Sequence, residues 1–143
     1  MKVEDIDDVI QIDAISFPVP WNKEQYTYEL EENEFAQLYV LEEDHRIIGY
    51  IDFWITFEIC QLAKIAVDPN IRGQKKAHEL MDIMIDQANK NDCETISLEV
   101  RVSNQAAHKL YEAYDFIKVN VRKNYYQDNG EDADLLVKAI GGF

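Results

Sequence analysis

Positive charge is concentrated in one short stretch of the sequence, VDPNIRGQKKAHELMD (residues 67–82). The stretch follows an apolar run typical of a strand and leads into a helical pattern. A turn between a strand and a helix leaves backbone N–H groups without partners, and these groups can bind an anion. Arg72, Lys75, Lys76 and His78 add side-chain donors to this turn. The residues alone leave two interpretations open, a pyrophosphate site and an ordinary solvated turn.

Two other side chains are suited to proton transfer. Glu99 lies on the polar face of TISLEVR (residues 95–101), whose alternation predicts a strand, and a carboxylate there can act as a general base. Tyr111 lies on an apolar helical stripe, and a phenol can donate a proton to a leaving group. Each residue also has a structural interpretation: a salt bridge of Glu99 with Arg101 or a neighbour, and a core position for Tyr111.

Two aromatic segments are candidates for binding a peptide. RKNYY (residues 122–126) leads a hairpin and presents two adjacent tyrosines, each with a ring and a hydroxyl. FPVPW (residues 17–21), which we call the FPVPW segment, is held extended by its prolines. An exposed hairpin end with packed aromatic rings is the competing interpretation of RKNYY.

The histidines and cysteines do not predict a metal site or a disulfide framework. His45, His78 and His108 lack metal-ligand spacing, and Cys60 and Cys93 are isolated from one another in the sequence. We therefore expect no metal and two free thiols.

Length, charge and apolar content predict a globular protein that is not a nucleic-acid or membrane binder. The chain has 143 residues, 47% of them hydrophobic, and a net charge of −14 that is spread along its length. Such a charge repels nucleic acid and anionic membranes and favours cationic partners. The acidic N-terminus lacks an apolar signal region, and no run approaches 18 apolar residues. We expect one domain over residues 1–143, located in the cytoplasm, as a monomer or weak dimer.

Hydrophobic periodicity predicts the elements that position these residues. Helical patterns cover residues 4–16, the segment after Asn22, the segment after the basic turn and the segment that Ser103 caps. Strand patterns cover residues 36–43, 46–56, 59–67, 95–101, 116–126 and 133–140. The order ααβββαβαββ predicts an α/β or α+β fold with a mixed, mostly antiparallel sheet flanked by helices.

Three segments together resemble one family. IAVDPNIRGQKKAHELM, LEVRVSNQAAHKLYEAYDF and RKNYYQDNGEDA occur in the order and spacing of the GNAT N-acetyltransferases, and within them of the ribosomal-protein-alanine N-acetyltransferases (RimI). The similarity runs from the FPVPW segment to the final strand. The resemblance implies a GNAT fold and transfer of an acetyl group from acetyl-CoA to the N-terminal amine of a protein, most simply a basic ribosomal protein that begins with Ala.

The resemblance also implies a role for each site residue. Glu99 would be the general base and Tyr111 the general acid toward the departing thiolate. Phe17 and Pro18 would flank the peptide N-terminus on one side, and Tyr125 and Tyr126 would flank it on the other. Acetyl-CoA would be bound by the end of the third strand, by the basic loop (residues 72–78) and by one asparagine: Ile65, Ala66, Val67, Arg72, Gly73, Gln74, Lys75, Lys76, Ala77, His78 and Asn104.

Two positions depart from the family pattern. The family loop reads R/Q-x-x-G-x-G/A, and a glycine usually stands at the position before Phe116. Lys75 stands where the first motif glycine is expected, and Asp115 stands in place of the glycine before Phe116. If position 75 requires a positive φ, a Cβ there costs about 1–2 kcal/mol. We interpret Lys75 as a tolerated variant in a working loop, because Glu99, Asn104 and Tyr111 are all present.

Two other functions remain open from the sequence. The first is a GNAT enzyme that acetylates a small amine or an internal lysine; RKNYY and FPVPW favour a peptide instead. The second is a non-catalytic module that binds a basic partner through its acidic surface, for which Lys75 is the only support.

Overall fold

The computed structural model describes residues 1–71 and 75–141, and Arg72, Gly73 and Gln74 lie outside the described residues. Within the described ranges, four α-helices and six strands follow the predicted order ααβββαβαββ. The helices are α1 (Ile6–Ser16), α2 (Lys23–Glu31), α3 (Lys76–Lys90) and α4 (Gln105–Ala113). The strands are β1 (Ala36–Glu43), β2 (Arg46–Thr56), β3 (Ile59–Val67), β4 (Thr95–Arg101), β5 (Ile117–Arg122) and β6 (Ala133–Ala139). Short 3-10 turns at Val3–Asp5 and Pro69–Ile71 precede α1 and follow β3.

The start of α2 is fixed by local sequence, as predicted. The Asn22 side chain accepts a hydrogen bond from the Gln25 backbone N–H at 2.9 Å, and the Gln25 side chain accepts one from Asn22 N–H at 2.9 Å. This reciprocal pair satisfies two of the N–H groups that a helix start leaves without partners. The Trp21 and Tyr26 rings lie 5.1 Å apart across the same turn, which is the predicted hydrophobic staple.

Among the boundaries that differ from the prediction, two lie next to predicted site residues. The N-cap of α4 is Asn104 and not Ser103, because the Asn104 side-chain oxygen accepts from the Ala107 N–H at 3.1 Å. β5 ends at Arg122 rather than at residue 126. The chain leaves the strand at Asn124, which has a φ of 51° and donates its N–H to the Asp132 carboxylate at 2.9 Å. The two tyrosines of RKNYY therefore lie in the loop between β5 and β6.

The sheet is mixed and mostly antiparallel, with strand order β1-β2-β3-β4-β6-β5. Its single described parallel contact, between β3 and β4, covers only Ile59–Gln61 and Thr95–Ser97. The carboxyl-terminal halves of these two strands, which carry Ile65–Val67 and Glu99, therefore diverge from one another. This divergence opens the sheet where the predicted cofactor and catalytic residues lie.

A β-bulge in β3 changes which side chains face which side of the sheet. Asp52 pairs with Lys64 and Phe53 with Leu62, so Ala63 is an extra residue without a partner on β2. Before the bulge, Leu62 faces the core beneath α3 and α4, and after it Ala66 faces α1 and α2. Because a one-residue shift reverses side-chain direction, Lys64 lies on the α1 and α2 face.

Two hydrophobic cores hold the helices on opposite faces of the sheet. The core on the α3 and α4 face is formed by Ile51, Phe53, Cys60, Leu62, Val67, Leu80, Met81, Met84, Ala88, Cys93, Ile96, Leu98, Val100, Tyr111, Phe116 and Leu136. The core on the α1 and α2 face is formed by Ile6, Val9, Ile12, Tyr26, Leu38, Tyr50 and Ala66. Within residues 1–71 and 75–141, no helix has the length and apolar character needed to span a membrane.

Candidate active site

The described part of the basic loop begins with a left-handed residue. Lys75 is the N-cap of α3 and has φ 60° and ψ 25°. This conformation is the one that glycine adopts without a steric cost, which explains why the family pattern has glycine here. Lys75 adopts it with its side chain exposed at the helix N-terminus. Position 75 thus has the left-handed backbone that favours glycine, and Lys75 occupies it as the N-cap of α3.

The neighbouring lysine is already paired with acidic residues. The Lys76 ammonium lies 2.7 Å from the Glu43 carboxylate at the end of β1 and 3.9 Å from Glu79. The hydrogen bond to Glu43 raises the pKa of Lys76. A phosphate group that reaches Lys76 must therefore compete with Glu43. Ala77 and His78 occupy the first turn of α3, and the Tyr114 hydroxyl donates to the His78 carbonyl at 3.0 Å.

The end of β3 is held from one side by β2. Val67, Ala66 and Ile65 pair with Gly49, Tyr50 and Ile51, respectively. A Cβ on Gly49 would lie 3.1 Å from the Ala66 carbonyl oxygen, so β2 approaches this part of β3 closely. The ladder between β3 and β4 ends at Gln61. The edge of β3 that faces the divergence is therefore placed where backbone groups could pair with an extended pantetheine arm.

Glu99 lies across the divergence, on β4. Its side chain is 16% exposed, and its carboxylate accepts a hydrogen bond from Arg122 Nε at 3.1 Å. The salt bridge that the sequence suggested thus exists, with Arg122 of β5 as the partner instead of Arg101. An accessible carboxylate with one cationic neighbour remains suited to accepting a proton through water.

Tyr111 lies on α4 and is only 6% exposed. Its ring contacts that of Phe116 at 5.8 Å between centroids. Burial raises the pKa of the Tyr111 phenol, and the nearby Tyr126 raises it further. The phenol therefore holds its proton at neutral pH, as a general acid must before it donates.

Tyr125 and Tyr126 form an aromatic pair in the β5–β6 loop. Their rings meet edge to face at 5.1 Å. Burial raises the pKa of Tyr126 to about 12, with the positive charge of Arg101 opposing the shift. The Glu99 charge contributes to the raised pKa of both tyrosines, and Tyr126 contributes to that of Tyr111. The charge of Glu99 on β4 thus acts on both tyrosines of the β5–β6 loop, and Tyr126 acts on Tyr111 of α4.

Arg101 fixes that loop from β4 and was not assigned a site role from the sequence. Its guanidinium lies 4.0 Å from the centre of the Tyr126 ring. It also donates to Asp128 at 3.0 Å and to Glu131 at 3.3 Å. Asp128 lies within the turn at residues 127–129 and Glu131 follows it, so Arg101 holds the loop that carries Tyr126. Its place two residues after Glu99 on the same strand face is the sequence signal for this role.

Asn104 has a structural role that coexists with its predicted one. Its side-chain oxygen caps α4, which leaves the side-chain NH₂ as the group with which it could donate to a ligand. One turn later, His108 Nδ1 lies 2.7 Å from the Asn104 carbonyl oxygen, and Nε2 lies 3.0 Å from the Asp134 carboxylate. The residue predicted to contact pantetheine is thus held rigidly at the start of α4.

On the other face, the FPVPW segment rests on a buried ion pair that the sequence did not reveal. Lys64 Nζ lies 4.1 Å from the centre of the Phe17 ring and 3.1 Å from the Asp13 carboxylate. Phe17 is half-buried and Pro18 is exposed. A lysine within the apolar strand ICQLAKIAV and an aspartate on the apolar stripe of α1 are the signals that could have identified this pair.

Metal ligands are not gathered anywhere in the described part of the chain. Within residues 1–71 and 75–141, no group of three or more His, Cys, Asp or Glu side chains has the geometry to hold a metal ion. Cys60 and Cys93 are free and buried.

Comparison with known proteins gives consistent results. Residues 6–116 match the model of the Acetyltransferase (GNAT) family. A Bacillus subtilis protein described as a candidate ribosomal protein bS18-alanine N-acetyltransferase is 42% identical over 136 residues, covering 95% of this chain and 90% of the relative. The crystal structure of the Escherichia coli ribosomal-protein-S18-alanine N-acetyltransferase superposes with a TM-score of 0.90 at 27% identity, covering 100% of this chain and 92% of that one.

A second similar structure comes from a complex that holds both kinds of ligand expected here. A chain of the NatC complex bound to Gag peptide and CoA superposes with a TM-score of 0.81 at 26% identity, covering 96% of this chain and 92% of that one. The family match spans most of the sequence, and the relatives cover nearly all of it. The chain therefore belongs to the GNAT acetyltransferase family, resembles the ribosomal-protein-alanine N-acetyltransferases within it, and is an N-acetyltransferase.

Proposed function

We propose that the protein transfers an acetyl group from acetyl-CoA to the N-terminal α-amine of a protein, most simply a ribosomal protein that begins with Ala. The observation that carries the proposal is that β3 and β4 diverge after Gln61 and Ser97, between Ile65–Val67 on one strand and Glu99 on the other. The similarity to proteins named for acetylation of ribosomal protein bS18 supports the substrate class. The net charge of −14 suits a basic partner.

Acetyl-CoA would bind to the described residues on both sides of the divergence. Its phosphates would meet the N-terminus of α3, where Lys75 has the required left-handed backbone. The pantetheine arm would run along Ile65–Val67 toward Asn104. Arg72, Gly73 and Gln74 would complete the basic loop, and these three positions lie outside the described residues.

The reaction is a direct transfer with no covalent enzyme intermediate. Glu99 takes one proton from the attacking amine, either directly or through a water molecule. The amine nitrogen forms a bond to the thioester carbonyl carbon, and the carbon–sulfur bond breaks. Tyr111 gives its proton to the departing thiolate. Backbone N–H groups of β3 would stabilise the oxyanion.

The ordinary pKa of the acceptor explains why a weak base suffices. An α-amine has a pKa near 7.7–8.0, so roughly a tenth of it is neutral at pH 7. A lysine side chain has a pKa near 10.4, which adds about 3–4 kcal/mol to the cost of deprotonation. A carboxylate such as that of Glu99 is therefore matched to a protein N-terminus better than to an internal lysine.

Two conservative variants test the assigned chemistry. Glu99→Gln and Tyr111→Phe each remove one proton-transfer group while keeping the shape of the side chain, so we expect kcat to fall by about 10²- to 10⁴-fold without loss of folding. Glu112→Gln and Tyr28→Phe are matched controls on exposed helix faces. Turnover of both test variants at the control rate would contradict the assigned roles.

Cofactor binding and acceptor choice are measured separately. Acetyl-CoA at 100 times its Kd should raise the free energy of unfolding by about 2.7 kcal/mol, seen as a higher melting temperature. Peptides with Ala and Ser N-termini are then compared with N-terminally blocked, lysine-containing peptides and with free polyamines. Preferred acetylation of blocked peptides or polyamines would identify the small-amine or lysine enzyme instead. Absence of any shift in melting temperature at millimolar acetyl-CoA would favour the non-catalytic module.

A further inference from the structure

A buried ammonium lies directly behind the FPVPW segment. The side chain of Lys64 is 9% exposed and that of Asp13 is fully buried, with 3.1 Å between Nζ and Oδ1. Removing two charges from water is costly, and such a pair is stable only when further contacts compensate. The positions of those further contacts indicate what the pair holds in place.

The carboxylate of Asp13 is bound by three elements besides Lys64. It accepts a hydrogen bond from the Tyr26 hydroxyl of α2 at 2.7 Å, and another from the Tyr50 hydroxyl of β2. The backbone N–H of Trp21 donates to its second oxygen at 2.6 Å. One carboxylate thus ties the last residue of the FPVPW segment to α1, α2 and the sheet.

The ammonium of Lys64 contacts the other end of the same segment. Nζ lies 4.1 Å from the centre of the Phe17 ring and 5.0 Å from that of Trp21, both within the range of a cation–π interaction. The bulge at Ala63 places Lys64 on this face of the sheet. The carboxyl group of Asp52, opposite Lys64 on β2, has no hydrogen-bond partner among the described residues, so the charge partner of Lys64 is Asp13.

We propose that Lys64 is a positioning residue of the acceptor site: its ammonium, anchored on Asp13, holds Phe17 and Trp21 and so sets the FPVPW segment against which the peptide N-terminus binds. The proposal rests on the proposed function, because that function places the peptide beside Phe17. In this proposal Lys64, a lysine of the central sheet, contributes to peptide binding. It does not contribute to acetyl-CoA binding or to proton transfer.

The first experiment compares two replacements of Lys64. Methionine keeps the length and apolar stem of lysine but removes the charge, whereas arginine keeps a cation that can interact with the ring. We expect Lys64→Met to raise the peptide KM by about 3- to 30-fold, which corresponds to loss of a desolvated cation–π contact. In Lys64→Met the Kd of acetyl-CoA should not change and kcat should change little. In Lys64→Arg the peptide KM should stay near the wild-type value. A parallel loss of acetyl-CoA affinity would overturn the proposal in favour of general destabilisation.

A double-mutant cycle tests whether Lys64 acts through Phe17. Phe17→Leu keeps apolar volume and removes the ring, so it should raise the peptide KM as Lys64→Met does. If the two side chains act as one unit, the double variant should be no worse than the more affected single variant. Effects that multiply, or a single Phe17→Leu variant with an unchanged peptide KM, would refute the proposed path.

The cycle is repeated with Asp13→Asn in every variant that lacks Lys64, because Lys64→Met alone leaves a buried carboxylate without its counter-ion. The charge-free pair Asp13→Asn with Lys64→Met should fold and keep the raised peptide KM. A normal peptide KM in this variant would show that the ammonium does not position the segment. Lys90→Met, which removes an exposed ammonium from α3, is the matched control.

A measurement that needs no activity separates this proposal from the proposed function. The chain has two tryptophans, so Trp54→Phe leaves Trp21 as the only source of tryptophan fluorescence. In that background, Lys64→Met should shift the Trp21 emission to the red and increase its quenching by acrylamide, whereas Lys64→Arg should not. If the wild type acetylates no peptide but this change occurs, the proposed function fails while the positioning contact stands. Unchanged fluorescence in Lys64→Met would overturn the positioning contact itself.

Discussion

Comparing Asp52→Asn with the wild type should reveal how one buried carboxyl group makes the free energy of unfolding depend on pH. Asp52 is fully buried on β2, and neither of its side-chain oxygens has a hydrogen-bond partner among the described residues. Burial raises its pKa to about 9, with the nearby Glu29 carboxylate adding to the shift. Glu29 itself accepts hydrogen bonds from Trp54 at 2.6 Å and Asn33 at 2.7 Å. Asp52 is therefore protonated in the folded protein at neutral pH.

The sign and size of the effect follow from proton linkage. The folded pKa is about 9 against an ordinary value of 3.8, so between these values the folded state binds a proton that the unfolded state lacks. Stability from this group is therefore greatest at low pH and falls as the pH rises, by about 1.4 kcal/mol per pH unit. Asparagine does not titrate, so Asp52→Asn removes this dependence on pH while keeping a neutral polar side chain of similar size. From pH 5.5 to 7.5, the stability of Asp52→Asn relative to wild type should rise by about 2.7 kcal/mol.

Urea unfolding at pH 5.5, 6.5 and 7.5 measures this difference directly. All other titratable groups are common to both proteins, so their contributions cancel in the difference. The groups that face Asp52 are Glu29 on α2, Tyr50 on the same strand and Lys64 opposite on β3. Asp86→Asn, an exposed change of the same charge on α3, should show no such slope. A pH-independent difference between Asp52→Asn and wild type would mean that Asp52 is ionised in the folded state, and the reasoning would be refuted.

Three further outcomes are expected at the cofactor site. Glu43→Gln removes the acidic partner of the Lys76 ammonium, so the Kd of acetyl-CoA should fall about two- to fivefold in a calorimetric titration. The exposed variant Glu42→Gln is the control, and an unchanged Kd in Glu43→Gln would contradict the prediction. Lys75→Gly should change the free energy of unfolding, measured with urea, by less than about 1 kcal/mol. Glycine relieves the steric cost of the left-handed conformation, but it also increases the conformational entropy of the unfolded chain. A larger gain in stability would mean that Lys75 is more strained than its φ indicates. Asn104→Ala should lower the free energy of unfolding by about 1 kcal/mol and weaken acetyl-CoA binding. Asn104→Ser should keep the helix cap and lose only affinity for acetyl-CoA. Full affinity in the serine variant would show that Asn104 does not contact the cofactor.

Local patterns in the sequence predicted the elements well, because each depends on neighbours a few residues away. The predicted strands 36–43, 46–56, 59–67 and 95–101 have the observed bounds, and the capping box at Asn22 is present. Asp115 adopts the predicted left-handed conformation, with a φ of 65°. The boundary error at the end of β5 arose where a tertiary contact determines the structure, whereas the cap at Asn104 instead of Ser103 depends on a local hydrogen bond to the Ala107 N–H. Asn124 turns away from the strand because its N–H bonds to Asp132, eight residues later.

The site was predicted only as far as its residues belong to recognisable motifs. Glu99, Tyr111 and the tyrosine pair were identified by type and by similarity to a family, and the structure places them on β4, on α4 and in the β5–β6 loop. Their partners were not identified, because Arg122 meets Glu99 across 23 positions and Arg101 meets Glu131 across 30. Such contacts depend on the packing of strands that no local pattern relates. The assigned roles therefore stay predictions, and the geometry adds the residues that hold them in place.

The sequence by itself determined the order of helices and strands, the polar face of β4 and the acidic character of the chain, since these depend on residue type and short-range spacing. The tertiary structure alone decided which way Lys64 points. Simple alternation along β3 places Lys64 on the same face as Cys60 and Leu62, under α3 and α4. The bulge at Ala63, which shows only in the pairing of β3 with β2, turns it to the opposite face, toward Asp13 and Phe17. A single extra residue in a strand reverses every later side chain, and the register between two strands depends on the packing of both faces.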